Sequence, residues 1–259
     1  MARIILIETS TALCSTALAE DGKIVTYRES VTPRAQASLT APFVKEMLDE
    51  RGLGVRDCDA VCVSKGPGSY TGLRVGVSTA KGLCFGAGIP LIAVGTLDTL
   101  VFQAAGEGLL PEGCRYVVPM VDARRMEVYT AVFTPDGRQL TDTRPQVIES
   151  LDQVIGNSEA FAIKGTVASP ASTEAHGTPV TFAGLLAEGP VLFIGDGADK
   201  CREALAHPNA HFAQCCPKAS AMLEPAVAAF SAGRFEDTAY FEPFYLKEFI
   251  ATVPRKKLF

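Results

Sequence analysis

A repeated order of strand and turn signals constrains the fold of this chain more than any other feature. Each half begins with an apolar run that ends in an acid, a second run that ends in Asp-Gly, and a third run. The acids are Glu8 and Asp122, and the Asp-Gly pairs are residues 21–22 and 136–137. Asp-Gly between two strands favours a tight hairpin turn. The pattern therefore predicts an internal duplication, with a three-stranded antiparallel meander in each half.

Helical patterns follow the meanders. Apolar residues recur at helical spacing in residues 38–50, and a long helical run covers residues 73–86. Strands and helices in this order predict an α/β protein of two lobes, each a mixed sheet flanked by helices. We expect lobes at residues 1–105 and 106–259, with the C-terminal segment packing back on the first lobe. The acidic and glycine turns would then face a cleft between the lobes.

Composition and charge narrow the function. The chain has 259 residues, 47% of them hydrophobic, with a net charge of −5. Proteins that bind nucleic acid without a partner protein usually carry a basic patch. The sequence shows only one short basic run, Arg255, Lys256, Lys257. Any role near RNA is therefore expected to depend on a partner. The eight cysteines form no CxxC, no apolar run approaches ~20 residues, and the opening residues show no export signal. We expect a cytoplasmic protein with reduced thiols.

A glycine-rich stretch, SKGPGSYTGLR, covers residues 64–74. It lacks the lysine of the phosphate-binding pattern GxxxxGK[ST], and its glycines at 66, 68 and 72 do not fit GxGxxG. Glycines also allow tight turns, and Ser69 or Thr71 can cap the next helix. A helix N-terminus can still bind an anion. The stretch is thus either a structural corner or a phosphate site.

Small residues form a stripe on the helix after this stretch. Gly72, Gly76 and Ala80 are spaced four apart, which places them on one helical face. Small residues let another helix approach closely. The stripe indicates either tight packing inside the chain or a helix–helix interface with another subunit.

Residues suited to catalysis are few. His207 and His211 have HxxxH spacing, which on a helix would suit a metal, but Pro208 makes a helix there doubtful. Glu8 and Asp122 each end a core strand, where a carboxylate can hold a metal–phosphate group. The alternatives are that they cap neighbouring turns, or that Asp122 pairs with Arg124.

Several segments resemble a known family. GPGSYTGLRVGVSTAKGL, VDARRMEVYTAVF, EPFYL and ILIETSTALCSTAL are similar to segments of the bacterial TsaB (YeaZ) family, which more often has Asp where this chain has Glu8. The resemblance implies the duplicated actin-like/RNase H-like (ASKHA) fold, shared with sugar kinases and Hsp70. It implies a non-catalytic partner of the TsaD subunit, joined by the TsaE ATPase. Together they transfer threonylcarbamoyl from threonylcarbamoyl-AMP to the adenosine 3′ of the anticodon in tRNAs reading ANN codons.

The resemblance also carries implications for individual residues. The catalytic paralogue binds a metal through HxxxH on its first long helix, and this chain has no histidine there, with Gln36 in the region. The resemblance implies no metal site, a homodimer in isolation, and tRNA reached only through the complex, away from membranes. The expected partner interface comprises Gln36, Leu39, Phe43, Met47, Leu73, Gly76, Val77 and Ala80.

A nucleotide remains an open alternative. No cofactor is expected to be required, but ATP or ADP in the cleft or at a subunit boundary would use the strand ends and a later glycine turn. The candidate nucleotide- or phosphate-binding residues are Glu8, Thr9, Ser10, Asp122, Gly195, Asp196 and Gly197. The competing functions are a stand-alone ATP-hydrolysing or phosphoryl-transferring enzyme, and the peptidase activity for which the family was once named. Residues 158–189 fit no pattern and are expected to be irregular.

Overall fold

The computed structural model describes residues 2–158 and 178–247, and the basic run 255–257 lies outside these ranges. The strands and helices follow in chain order. The strands are β1 (Arg3–Glu8), β2 (Cys14–Glu20), β3 (Lys23–Ser30), β4 (Ala60–Gly66), β5 (Leu91–Gly95), β6 (Tyr116–Asp122), β7 (Glu127–Thr130), β8 (Arg144–Val147), β9 (Val154–Ser158), β10 (Thr178–Thr181), β11 (Val191–Ile194) and β12 (Ala210–Ala213). The helices are α1 (Gln36–Glu50), α2 (Tyr70–Ala87), α3 (Thr96–Gly106), α4 (Phe182–Glu188) and α5 (Leu223–Ser231).

Two five-stranded mixed sheets share one topology. The first has the order β3-β2-β1-β4-β5, and the second reads β8-β7-β6-β11-β12 from its corresponding edge. In each, the first strand pairs antiparallel with the second and parallel with a later strand, which is β4 in the first sheet and β11 in the second. The predicted duplication is confirmed, and the fold is the duplicated actin-like/RNase H-like α/β architecture.

The two predicted hairpins differ in how far their strands pair. Asp21 and Gly22 both have positive φ, 51° and 73°, as a tight turn between β2 and β3 requires. The turn at Gly137 also forms, with its N–H donating to Thr134 O at 3.0 Å. The regular ladder of β8 nevertheless begins only at Arg144. One reason is that Thr141 Oγ1 accepts the Val132 N–H at 2.9 Å, so a side chain replaces a ladder bond.

Both faces of the first sheet are buried, which explains the continuous apolar runs Ile4–Ile7 in β1 and Ala60–Val63 in β4. Ile5 and Ile7 pack with Val44 and Met47 of α1. Their neighbours Ile4 and Leu6 face the opposite side, where α5 and the turn before it contribute an apolar cluster that includes Met222 and Ala226. This alternation follows from the two-residue period of a strand.

The residues after α5 run along the first sheet and α2. The Glu236 N–H donates to Leu91 O at 2.8 Å, and the Phe244 N–H donates to Lys65 O at 2.7 Å. Between these points, Lys81 Nζ donates to Ala239 O at 3.1 Å and to Phe241 O at 3.0 Å. We call residues 236–247 the C-terminal strap.

The segment expected to be irregular is partly regular. Residues 159–177 lie outside the described ranges, but residues 178–188 form β10 and α4. Thr181 caps α4, since its Oγ1 accepts the Gly184 N–H at 3.0 Å. Sequence reasoning missed this helix because it has only seven residues. Among the described helices, none combines the length and the apolar character that crossing a bilayer requires.

Candidate functional site

The end of β1 is closed from solvent. Glu8 is 0% exposed. Its Oε1 accepts the Ser10 N–H at 2.6 Å and the Ser64 hydroxyl at 3.0 Å. Burial raises the pKa of the Glu8 carboxyl to about 7, although these hydrogen bonds oppose the rise. The carboxyl is therefore held inside the protein by its own turn and by β4.

The glycine-rich stretch is what closes this end. A Cβ at Gly68 or Gly72 would fall well inside 3.0 Å of a carbonyl oxygen of Ser10 or Thr9. The Ser69 N–H donates to Ser10 O at 2.6 Å, and Thr9 Oγ1 donates to Gly72 O at 2.8 Å. Ser69 also caps α2, because its Oγ accepts the Gly72 N–H at 3.3 Å. The stretch is a corner whose glycines let two pieces of backbone touch.

The stripe of small residues packs within the chain, which corrects its assignment to an interface. A Cβ at Gly76 would fall well inside 3.0 Å of Thr9 Oγ1, and Ala80 is 0% exposed. Leu73, Val77 and Met47 of the expected interface are also buried in the first lobe. These side chains cannot meet a partner without unpacking the core. The remaining three, Gln36, Leu39 and Phe43, are partly exposed.

A cleft of about 1010 Å³ lies between the two sheets. Three of the predicted nucleotide-binding residues line it, namely Ser10, Asp122 and Asp196. Glu8 and Thr9 are fully buried behind the corner. The glycines of the later turn serve packing, since a Cβ at Gly195 or Gly197 would press on Met120. The structure thus brings three of the predicted nucleotide-binding residues to one cleft, whereas the carboxyl of Glu8 lies outside that cleft.

The acids in the cleft already have partners within the chain. Asp122 pairs with Lys200, whose Nζ lies 2.5 Å from Asp122 Oδ1, and not with Arg124, which contributes only a backbone N–H at 2.8 Å. Glu127 pairs with Lys247. Burial raises the pKa of Asp196 to about 6, and its Oδ1 accepts the Asp122 N–H at 2.9 Å.

Three arginines of the cleft were missed by sequence reasoning. Arg34, Arg124 and Arg125 line it, and all three are exposed. Arg124 and Arg125 lie in the β6–β7 turn, separated from Asp122 only by Ala123. Two adjacent arginines beside a strand-end acid are visible in the sequence. Arg34 has no such signal, because it belongs to the cleft only through the path of the chain before α1.

The histidine pair does not form the arrangement that HxxxH suggests. His207 lies in a turn, where its Nδ1 accepts the Asn209 N–H at 3.1 Å, and His211 lies on β12. The spacing therefore does not place both rings on one helical face. Across residues 2–158 and 178–247, no group of three or more His, Cys, Asp or Glu side chains is arranged to hold a metal ion.

The outer face of α2 carries a second row of small residues. Ser78, Gly82 and Gly86 are exposed and spaced four apart, and a Cβ at Gly82 or Gly86 would meet no atom within 4 Å. Phe85 lies beside them with 88% of its surface exposed. The neighbouring helix α1 packs against α2. We call the surface formed by Ser78, Gly82, Phe85 and Gly86 the α2 outer face. It presents the ring of Phe85 beside glycines that let another helix approach the backbone of α2.

Comparison with known proteins gives the family. A family model described as "TsaD: tRNA N6-adenosine threonylcarbamoyltransferase" matches residues 29–253. The TsaB protein of Escherichia coli, a tRNA threonylcarbamoyladenosine biosynthesis protein, is 37% identical over 52% of this chain and 56% of its own length. The TsaB protein of Bacillus subtilis is 33% identical over 50% of this chain and 54% of its own length. The chain thus spans about half the length of the curated relatives it matches.

A solved structure agrees over a longer span. YeaZ from Pseudomonas aeruginosa superposes with a TM-score of 0.73 and 26% identity, over 95% of this chain and 100% of that chain. The four segments that resemble the TsaB (YeaZ) family are therefore part of a similarity that extends through both sheets. The chain belongs to the family of the TsaD model, tRNA N6-adenosine threonylcarbamoyltransferase, as a member of the TsaB/YeaZ type.

Proposed function

We propose that this chain is a non-catalytic partner subunit in the threonylcarbamoylation of tRNA. In this role it associates with a TsaD-type paralogue and a TsaE-type ATPase. The complex transfers threonylcarbamoyl from threonylcarbamoyl-AMP to the adenosine 3′ of the anticodon in tRNAs that read ANN codons. The observation that carries the proposal is the similarity to proteins named for threonylcarbamoyladenosine biosynthesis. The work would take place in the cytoplasm, where tRNA is modified.

The site chemistry supports a partner role over an independent enzyme. A phosphoryl-transferring enzyme needs carboxylates free to hold a metal–phosphate group. Here Glu8 is fully buried, and Asp122 is paired with Lys200. The proposal therefore requires no cofactor from this chain, and any ATP or ADP would be handled by the partners or at a subunit boundary.

The α2 outer face supports the association. Exposed large apolar rings beside small residues are typical of surfaces that another protein covers. Phe85 supplies the ring, and Gly82 lets a partner helix reach the backbone of α2. The partly exposed residues Gln36, Leu39 and Phe43 lie on α1, which packs against α2, and we include them in the proposed interface. In isolation, a second copy of the chain would cover this face and give a homodimer.

The test is a pull-down with the purified TsaD-type paralogue, followed by measurement of modified nucleoside in tRNA with the ATPase and threonylcarbamoyl-AMP added. Gly82→Arg places a large side chain on the α2 outer face, at a position where an added Cβ meets no atom within 4 Å. Gly106→Arg is the matched control, since Gly106 also lies in a helix with no atom within 4 Å of a Cβ.

We expect Gly82→Arg to lose both association and modified nucleoside, while its melting temperature stays within a few degrees of that of Gly106→Arg. Association retained by Gly82→Arg would refute the assigned face. Modification that proceeds equally well without this chain would refute the function.

A further inference from the structure

The backbone of the cleft is strained at three arginines. Four non-glycine residues among those described have positive φ, and three of them are Arg34 at 63°, Arg124 at 72° and Arg125 at 49°. The left-handed region is unfavourable for a residue with a Cβ, because the Cβ comes too close to the following carbonyl oxygen. Such strain concentrates at functional sites, where the surrounding structure maintains it. All three arginines line the same cleft.

These arginines carry charge that no residue in the described part of the chain neutralises by pairing. None of the three has a side-chain hydrogen bond or an ion pair among residues 2–158 and 178–247. The acids that line the same cleft have other partners: Asp122 pairs with Lys200, Glu127 pairs with Lys247, and Asp196 Oδ1 accepts the Asp122 N–H at 2.9 Å. A protein with a net charge of −5 thus holds a local excess of positive charge in this cleft. Such a cleft attracts anions.

Aromatic rings stand beside this charge. Tyr70 and Tyr245 stack with their centroids 4.7 Å apart, and the guanidinium of Arg74 lies 5.1 Å from the centroid of Tyr70. Phe244 is 44% exposed and is fixed by its N–H bond to Lys65 O. Tyr70, Tyr245 and Phe244 all line the cleft. A cationic groove with exposed rings is the arrangement that binds single-stranded nucleic acid.

We propose that this cleft binds single-stranded RNA, with Arg34, Arg124 and Arg125 contacting phosphates and the aromatic rim stacking against bases. An RNA strand fits better than a free nucleoside triphosphate, because a triphosphate needs a cradle of backbone amides. At the corner, the N–H groups of Ser69 and Gly72 are already bonded to Ser10 O and to Ser69 Oγ, so neither contributes to such a cradle. A cleft of about 1010 Å³ lies at the upper end of small-molecule sites, roughly 300–1,000 Å³.

The proposal deepens the proposed function, because it gives the partner subunit its own contact with the RNA. It differs from the expectation that tRNA is reached only through the complex. The RNA-binding proposal rests on the proposed function only where it identifies the RNA as the tRNA that the complex modifies. The two can fail separately, since one is tested by association with the paralogue and the other by RNA binding of this chain alone.

The test is fluorescence anisotropy with a labelled single-stranded RNA of roughly eight nucleotides. ATP and poly-glutamate serve as competitors. The variant replaces Arg34, Arg124 and Arg125 with glycine, which removes the charge and accepts positive φ without strain. The control replaces Arg56, Arg138 and Arg234 with alanine, which removes the same charge from exposed positions that do not line the cleft.

We expect RNA to bind the wild-type chain and the control, and the glycine variant to bind about tenfold more weakly or worse. The slope of log affinity against log salt should flatten by about 2 in that variant, since each phosphate contact on a single strand contributes about 0.7. An equal loss of RNA affinity in the glycine variant and in the control would show that the three arginines are not the binding site. Competition by ATP or poly-glutamate as effective as that by unlabelled RNA would overturn the ligand, and no binding at low salt would overturn the proposal.

Discussion

Replacing Gly76 with alanine tests whether the buried stripe of α2 is a packing surface. The added Cβ would lie 3.4 Å from Val63 Cγ2 and well inside 3.0 Å of Thr9 Oγ1. Thr9 is 0% exposed, and its hydroxyl donates to Gly72 O at 2.8 Å. To relieve the clash, the hydroxyl must leave that bond or α2 must move off the sheet. Alanine is therefore unfavourable at this position even though it is the best helix former.

The magnitude follows from three contributions. Overpacking a core costs about 1–3 kcal/mol. A buried hydroxyl or carbonyl left without a partner costs about 1–3 kcal/mol more. Alanine has a higher helix propensity than glycine, which stabilises the folded state by about 1 kcal/mol and offsets part of this loss. We expect Gly76→Ala to lower the free energy of unfolding by roughly 2–4 kcal/mol.

Gly82→Ala is the matched control in the same helix. A Cβ there meets no atom within 4 Å, so only the propensity contributes, and we expect a gain of about 0.5–1 kcal/mol. Urea unfolding followed by circular dichroism measures both changes. A third variant, Thr9→Ala with Gly76→Ala, removes the clashing hydroxyl and should recover part of the loss. Equal stability of Gly76→Ala and Gly82→Ala would refute the packing argument.

Two further predictions concern the buried acid and the strap. The pKa of Glu8 rises from 4.5 to about 7 on folding, so its contribution to stability is complete below pH 4.5 and falls by ~3 kcal/mol as pH rises to about 7. Glu8→Gln should remove this loss in unfolding measured across that pH range, and an unchanged pH profile would contradict the burial argument. Lys81→Met removes the two bonds from Lys81 Nζ to the strap, and hydrogen exchange should become faster at residues 239–244. Unchanged exchange there would mean that Phe241 and the backbone bonds hold the strap without the lysine.

The sequence predicted the architecture well, because its signals are local. Asp21-Gly22 dictates a tight turn by its backbone preference, and the alternate burial of Ile4 and Ile5 follows from the period of a strand. The capping role of Ser69 likewise depends on neighbours three residues away. The lobe boundary at residue 105 stays a prediction. Helix α3, which precedes it, contacts β4 and β5 of the first sheet and β6 and β11 of the second.

The site was predicted less well, because its properties depend on contacts between distant segments. Glu8 and Asp122 occupy equivalent strand ends, yet Glu8 is buried and Asp122 is exposed. The difference arises because residues 66–72 cover only the first of the two ends. In the same way, no spacing rule distinguishes the buried row at Gly76 from the exposed row at Gly82 until the sheet beneath α2 is known.

The covering of the first sheet by the strap and α5 sets an order for folding during synthesis. Met222 and Ala226 complete the apolar cluster around Ile4 and Leu6, and Glu236 pairs with Leu91 at the sheet edge. A ribosome that has released only the first half of the chain therefore presents a sheet with one bare apolar face and an open edge, which are hazards for aggregation. The amino-terminal half must wait for the last tenth of the described chain before its core is closed. Chaperone dependence and sensitivity to C-terminal truncation should both follow from that delay.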